Sequence, residues 1–144
     1  RSPSPSTRAA GVIRPAAPAI HLDTSFLIRA GRPDDAAARD LRSWLQARRL
    51  IAISSLAWGE YLCGPVSAAE EAAARLITPH VLPLRLEEAV ESARLFNLAG
   101  RRRNSFADCV IAATALLAGA ELATSNPADF QRFEAEGLTF AHLG

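Results

Sequence analysis

Three acidic residues, far apart in a chain of 144, each stand where a strand pattern hands over to a helix pattern. Asp23 closes Ala19-Ile20-His21-Leu22-Asp23. Glu60 follows the run from Ile51 to Gly59, and Asp108 opens an apolar stretch that continues to Leu117. A fourth acid, Asp129, follows Leu122-Ala123-Thr124-Ser125-Asn126-Pro127. In an α/β fold the carboxyl ends of neighbouring strands converge on one crevice. Carboxylates gathered there repel one another unless a cation holds them together. Oxygen-only ligands suit Mg²⁺ or Mn²⁺. A metal beside arginines points to phosphate chemistry. The ion lowers the pKa of a bound water, so no histidine base is needed.

Each acid alone has a plainer explanation. Asp23 can cap the helix that follows it. Glu60 can face solvent, as most helical glutamates do, although Leu56, Ala57, Trp58, Tyr61 and Leu62 around it are largely apolar. Asp108 can stabilise the positive end of a helix dipole, but its helix is apolar on nearly every face and must be central and buried. Asp129 and Asn126 can serve as turn residues before a short helix. Four unrelated capping acids need no common location, whereas a phosphoryl-transfer centre requires one. Other chemistries lack their motifs: there is no Gly-rich dinucleotide or Lys-Ser/Thr phosphate loop, and no nucleophile elbow around Ser25 or Ser105.

The elements that must position these acids alternate from Ala19 onward. Expected strands are Ile20–Leu22, Leu50–Ser54, Val81–Leu84, Glu121–Thr124 and Leu138–Phe140. Expected helices are Thr24–Ala30, Asp34–Arg49, one capped by Ser54 or Ser55 and carrying Glu60, Ala68–Ile77, Leu86–Ala99, and one from an Asn104 or Ser105 cap to Ala118. A single helical turn is expected over Ala128–Phe133. Pro83 puts the third strand at an edge or ends it there. Regular strand–helix alternation implies an α/β fold, a central parallel sheet with helices on both faces.

Composition bounds the rest. The chain is long enough for one domain, and 49% hydrophobic residues can build a core. Net charge is +1, and all 16 basic residues are arginine. Arginine's fork suits phosphate oxygens, so placement matters more than the total. Arg29 and Arg32 follow Asp23, and Arg101, Arg102 and Arg103 precede the helix of Asp108. Both sets could flank an acidic pocket and hold phosphates. The two cysteines give no disulfide framework or metal spacing, which fits a reducing compartment. No apolar stretch reaches the roughly 20 residues of a membrane span. Residues 1–18 are rich in Ser, Pro, Arg and Ala and are expected to be a disordered or non-native extension, leaving 19–144 as the folded domain.

The segments Leu22-Asp23-Thr24-Ser25-Phe26-Leu27-Ile28, Ser55-Leu56-Ala57-Trp58-Gly59-Glu60-Tyr61, Asp108-Cys109-Val110-Ile111-Ala112-Ala113-Thr114-Ala115 and Leu122 through Phe130 resemble, in order, the PIN-domain family. More narrowly they resemble its VapC-type ribonuclease toxins. The resemblance runs from about Ile20 to Phe140. It implies a PIN-like three-layer sandwich, Mg²⁺-dependent cleavage of structured RNA, a homodimer, a small cognate antitoxin and a cytoplasmic setting. By position Asp23, Glu60 and Asp108 match the family's acidic metal-site residues. Asn126 stands where many relatives carry an acid, and Asp129 is the acid of an Asp-Phe pair, so either one is the fourth site residue and one or two metals are implied. Thr24, Ser25 and Thr124 match the small polar positions and are expected near the RNA. Two rival readings keep the same residues: a PIN-like module that binds RNA or protein without cutting, and an unrelated small-molecule phosphohydrolase.

Overall fold

The computed structural model describes residues 17–144. The expectation of a disordered extension over 1–18 falls almost wholly on residues outside that range. Five short strands form one all-parallel sheet: β1 (Ile20–Leu22), β2 (Ile51–Ser54), β3 (His80–Leu82), β4 (Glu121–Ala123) and β5 (Thr139–Phe140). Their spatial order is β3-β2-β1-β4-β5. Leu22 is in register with Ile53 on one side and Ala123 on the other. Every residue of β1 and β2 is buried, as expected of strands covered on both faces. β3 is partly exposed and forms one edge, ending before Pro83.

Six helices cover the sheet to give an α/β sandwich: α1 (Thr24–Ala30), α2 (Ala36–Gln46), α3 (Ser55–Cys63), α4 (Ala68–Ile77), α5 (Leu86–Leu98) and α6 (Phe106–Ala118). The chain moves outward from β1 through β2 to β3, then returns to the other side of β1 for β4 and β5. The strand order therefore switches direction between β1 and β4. Ligands of open parallel sheets bind at such a switch, outside the carboxyl ends of the strands.

Local chemistry sets the element ends. Asp35 caps α2 by accepting from the Ala37 amide at 2.9 Å. The helix stops short of the expected Arg49 because Arg48 takes a left-handed conformation (φ 59°). Ser54, rather than Ser55, caps α3 through the Ala57 amide. Ser67 and Glu70 form a reciprocal capping box on α4.

The expected Asn104 or Ser105 cap on α6 does not form. Asn104 is itself left-handed (φ 62°), and the Ser105 hydroxyl donates backward to the Arg102 carbonyl at 2.7 Å. The core supplies what that cap does not: Cys109 through Ala115 are all buried. Gly119 (φ 62°) ends the helix in the left-handed region that favours glycine. The single turn expected over Ala128–Phe133 is instead two consecutive 3₁₀ turns, Pro127–Asp129 and Gln131–Glu136. Phe130 and Phe133, both 1% exposed, anchor those turns in the core. Trp58 and Tyr61 stack on each other at 5.5 Å and are buried.

Candidate active site

Asp23 sits where β1 gives way to α1, and its amide donates to the Ala123 carbonyl of β4 at 2.9 Å. It therefore lies at the switch point. It occupies the cap position of α1, yet its side chain makes no cap bond. The carboxylate instead accepts two hydroxyls on one oxygen: Ser25 Oγ donates to Oδ2 at 2.8 Å and Thr124 Oγ1 at 2.7 Å. Those hydroxyls are oriented in turn. The Ser125 amide donates to Ser25 Oγ at 3.2 Å, and the Asn126 amide donates to Thr124 Oγ1 at 3.0 Å. Each hydroxyl has one proton, and with its oxygen accepting from a backbone amide that proton goes to Asp23. Asp23 is 6% exposed, and its Oδ1 has no protein donor among the described residues.

Thr24 ties the second acid to the first. Its hydroxyl donates to Glu60 Oε1 at 2.8 Å and lies 3.3 Å from the Ala57 carbonyl. Glu60 itself is exposed on α3. Asp108, in the first turn of α6, is partly buried, and its carboxyl is pushed up to about 6. Burial is the main cause, followed by the negative charges of Asp23, Asp129 and, more weakly, Glu60; Arg132 opposes them. Four carboxylates from four separate segments thus share one electrostatic field.

Asp129, on its exposed turn, acts on Asp108. Asn126, also exposed, enters the network through its backbone amide, and its side chain does not cap the turn. Among the described residues no three acids, histidines or cysteines stand close enough to ligate one ion directly. The donors are all oxygens, and Mg²⁺ keeps several of its waters while binding one or two carboxylates. The set fits a hydrated hard cation.

The PIN domain family matches residues 20–136, a span that includes all four acids. The chain belongs to the PIN domain family. It is similar to a toxin–antitoxin complex from Klebsiella pneumoniae, at 26% identity over 78% of this chain and 90% of that one, with a TM-score of 0.63. VapBC2 from Rickettsia felis, bound to a DNA fragment from its promoter, matches at 19% identity over 85% of this chain and 96% of the other, with a TM-score of 0.69. VapC20 of Mycobacterium tuberculosis, a Sarcin–Ricin loop cleaving toxin, matches at 19% identity over 85% and 98%, with a TM-score of 0.57. No curated protein sequence matches the chain.

The arginines of this PIN domain divide into two kinds. Arg29 is committed to structure. It grips Asp35 through Nη2 at 2.7 Å and Nε at 3.1 Å, and its Nη1 lies 3.4 Å from Ser125 Oγ. That fork braces α1, the cap of α2 and the segment after β4. Arg32 is exposed beside Asp35. Arg101, Arg102 and Arg103 are exposed in the loop entering α6. Arg101 is left-handed (φ 54°) and donates to Asn97 at 3.0 Å, while Arg102 and Arg103 form no ion pair among the described residues.

Thr24, Ser25 and Thr124, matched in sequence to positions near RNA, all spend their hydroxyls on Asp23 or Glu60. Among the described residues, Arg132 and Ser125 bear on the site without having been picked out in the sequence. Their signals were weak: Arg132 stands three residues after Asp129 in an irregular segment, and Ser125 stands between Thr124 and Asn126.

Proposed function

We infer that this PIN domain is a Mg²⁺-dependent endoribonuclease, the toxin of a toxin–antitoxin pair, hydrolysing phosphodiester bonds in structured RNA. The observation that carries the reading is the common field of Asp23, Glu60, Asp108 and Asp129 at the β1–β4 switch point. Asp23 would offer Oδ1 to the ion. Glu60, Asp108 and either Asp129 or Asn126 would reach it directly or through water, and Mn²⁺ would fit the same donors. When bound, the ion supplies an activated water and stabilises charge on the phosphoryl group. The chain's own residues hold the geometry: Ser25 and Thr124 fix Asp23, and Thr24 fixes Glu60. The exposed Arg32, Arg102 and Arg103 are placed to attract RNA phosphates, with Arg101 beside them.

Total RNA incubated with the purified chain should be cleaved with Mg²⁺ and left intact with chelator. Cleavage that persists in chelator would remove the metal from the reading. A second reading, an RNA- or protein-binding module that does not cut, is favoured by the absence, among the described residues, of a ready-made three-ligand cluster and by Asn126 in place of an acid. Intact RNA under both conditions would select it.

Thr124→Val removes one of the two hydroxyls on Asp23 while keeping the shape. Loss of a hydrogen bond that orients a metal ligand typically costs about 10- to 100-fold in metal affinity or activity. A fall of that size in Mg²⁺-dependent cleavage, with the fold retained by circular dichroism, is expected. An unchanged Mg²⁺ dependence would reduce the hydroxyl to packing.

Replacing Arg101, Arg102 and Arg103 together by Ala should weaken RNA binding. Each single-strand phosphate that an arginine no longer neutralises should lower the log–log salt slope by about 0.7. A slope that does not move would leave the three arginines as a solvated loop.

Partners follow from two surfaces. A groove of about 440 Å³ lies between α1, the end of α3 and α4, lined by Leu27, Ile28, Tyr61, Val66, Ala74 and Ile77. We assign it to a segment of a cognate antitoxin. On α5, Leu86 is 77% exposed and Val90 and Leu98 are each 61% exposed, more apolar surface than a lone helix face needs in water. That face fits a homodimer, and light scattering should return twice the chain mass at micromolar concentration. No helix among the described residues is long and apolar enough to cross a membrane, and the cytoplasm is the proposed setting.

A further inference from the structure

Phe106 opens α6 two residues before Asp108 and is 46% exposed. Four exposed residues, Arg101, Arg102, Arg103 and Asn104, run into it through the buried Ser105. The loop keeps its shape by its own backbone. The Arg101 amide donates to the Phe96 carbonyl at 3.0 Å, and Ser105 donates to the Arg102 carbonyl through its amide at 3.2 Å and its hydroxyl at 2.7 Å. The guanidinium groups of Arg102 and Arg103 form no ion pair among the described residues. The Phe106 ring is fixed as well. It meets Phe96 of α5 edge to face, with centroids 5.8 Å apart and planes at 76°. That one neighbour orients the ring and leaves nearly half of the residue to solvent.

Two kinds of partner could cover such a ring, a second copy of the chain or a nucleobase. A two-fold contact lays a patch on its own image, so centring it here would set three arginines against the same three arginines. The apolar face assigned to the homodimer also lies elsewhere. At about 100° per residue, Phe96 stands about 120° round α5 from Val90 and about 160° from Leu98. Nucleic acid carries the charge that complements the loop. A basic strip beside an exposed aromatic ring holds single strands, with phosphates on the cations and a base on the π face. We propose that Phe106 is a base-stacking residue: a nucleobase of the RNA lies on its ring while Arg102 and Arg103 take neighbouring phosphates. Phe106 and Asp108 share the first turn of α6, about 5 Å along the helix axis, so the stacked nucleotide borders the acidic pocket. Phe96 already holds the ring, so stacking costs little further ordering. The proposal rests on the RNA reading given above, and not on cleavage.

Binding to the full chain in chelator tests it without cleavage. The probes are a labelled single-stranded RNA oligonucleotide and inorganic polyphosphate, which has the charge and no bases. Phe106→Ala should weaken RNA binding about 5- to 150-fold, the range that loss of one stacked base gives, and should leave polyphosphate binding as in the parent. Phe106→Leu keeps the apolar contact with Phe96 and lacks a π face; it should fall in the same direction, and it decides the matter if the alanine variant does not fold. Phe106→Trp should restore RNA affinity. Unchanged RNA affinity in the alanine and leucine variants would overturn the role of Phe106 and leave the RNA reading standing. Equal losses for RNA and polyphosphate would reduce the ring to a support for the arginine loop. A fall in mass by light scattering on Phe106→Leu would place the ring between copies of the chain. A parent that does not bind RNA would remove the RNA reading, and the proposal with it.

Discussion

Asp108→Asn should unfold at higher denaturant than the parent in chelator above pH 6, and should lose Mg²⁺-dependent RNA cleavage. The stability half follows from linkage. The Asp108 carboxyl is raised to about 6 by burial and by Asp23, Asp129 and Glu60. In the unfolded chain it titrates near the ordinary carboxyl value of about 3.9. An acid whose folded pKa is raised contributes stability that is fully present below its unfolded pKa and is lost as pH rises through the folded one. The metal-free parent is therefore weakened between about pH 4 and 6 and stays weakened above. Two units correspond to about 3 kcal/mol at 1.36 kcal/mol each. The carboxyl is only partly buried, so screening reduces this to about 1–2 kcal/mol. Asparagine keeps the shape and removes the charge, so the gain should appear at pH 8 and vanish near pH 4. The activity half follows from the same charge: a cation held by fewer carboxylates binds less tightly. Urea midpoints at both pH values and a cleavage assay check the pair. A variant that cleaves RNA as the parent does would take Asp108 out of the site.

Much of this arrangement was legible in the chain. The fold followed from alternation, because parallel strands buried on both faces read as short apolar runs between helical patterns. Asp23, Glu60 and Asp108 were picked out as acids at strand–helix boundaries, and only Asp23 stands at one: Glu60 lies inside α3, and Asp108 is in the first turn of a helix that follows α5 rather than a strand. The fourth position was harder. Asn126 and Asp129 belong to one irregular segment, whose side-chain directions no periodicity gives, so the sequence leaves both as the fourth site residue.

The roles of Thr24, Ser25 and Thr124 were not legible at all. A hydroxyl two bonds from Cα can turn toward substrate or toward a carboxylate. The Ser125 amide, 100 residues along the chain, settles the direction of the Ser25 hydroxyl, and the Asn126 amide settles that of Thr124. Arg29 reads as a phosphate ligand in sequence because it is near Asp23. It is engaged by Asp35, whose nearness depends on how α1 turns into α2. Arg132 was hidden for a related reason: irregular segments carry no periodicity from which burial can be read. The cap of α6 was misread because Asn104 and Ser105 look like cap residues in any context, and the loop uses them to turn.

His21 carries the second large effect. It lies in the middle of β1, 2% exposed, with Nδ1 buried and unpartnered among the described residues. Burial lowers its pKa from 6.5 to about 4. For a histidine lowered on folding, the stability contribution is intact above pH 6.5, where neither state holds the proton. It is lost as pH falls to about 4, because the unfolded chain is protonated first. About 2.5 units amount to about 3 kcal/mol. Asp108 works the other way across nearly the same window, gaining stability as pH falls through 6. The two effects oppose each other, so the parent in chelator should show a muted acid response. Asp108→Asn removes the compensation and should lose stability steeply between pH 6.5 and 4.5. Adding His21→Leu, which fills the strand position without a titrating ring, should flatten that loss. The window is kept above 4.5 because Glu88, buried and held at about 2 by Arg85, loses its own contribution only below that. Urea midpoints of the three proteins at pH 7, 5.5 and 4.5 decide the matter. If the doubly substituted chain falls as steeply as Asp108→Asn alone, the acid sensitivity does not reside in His21.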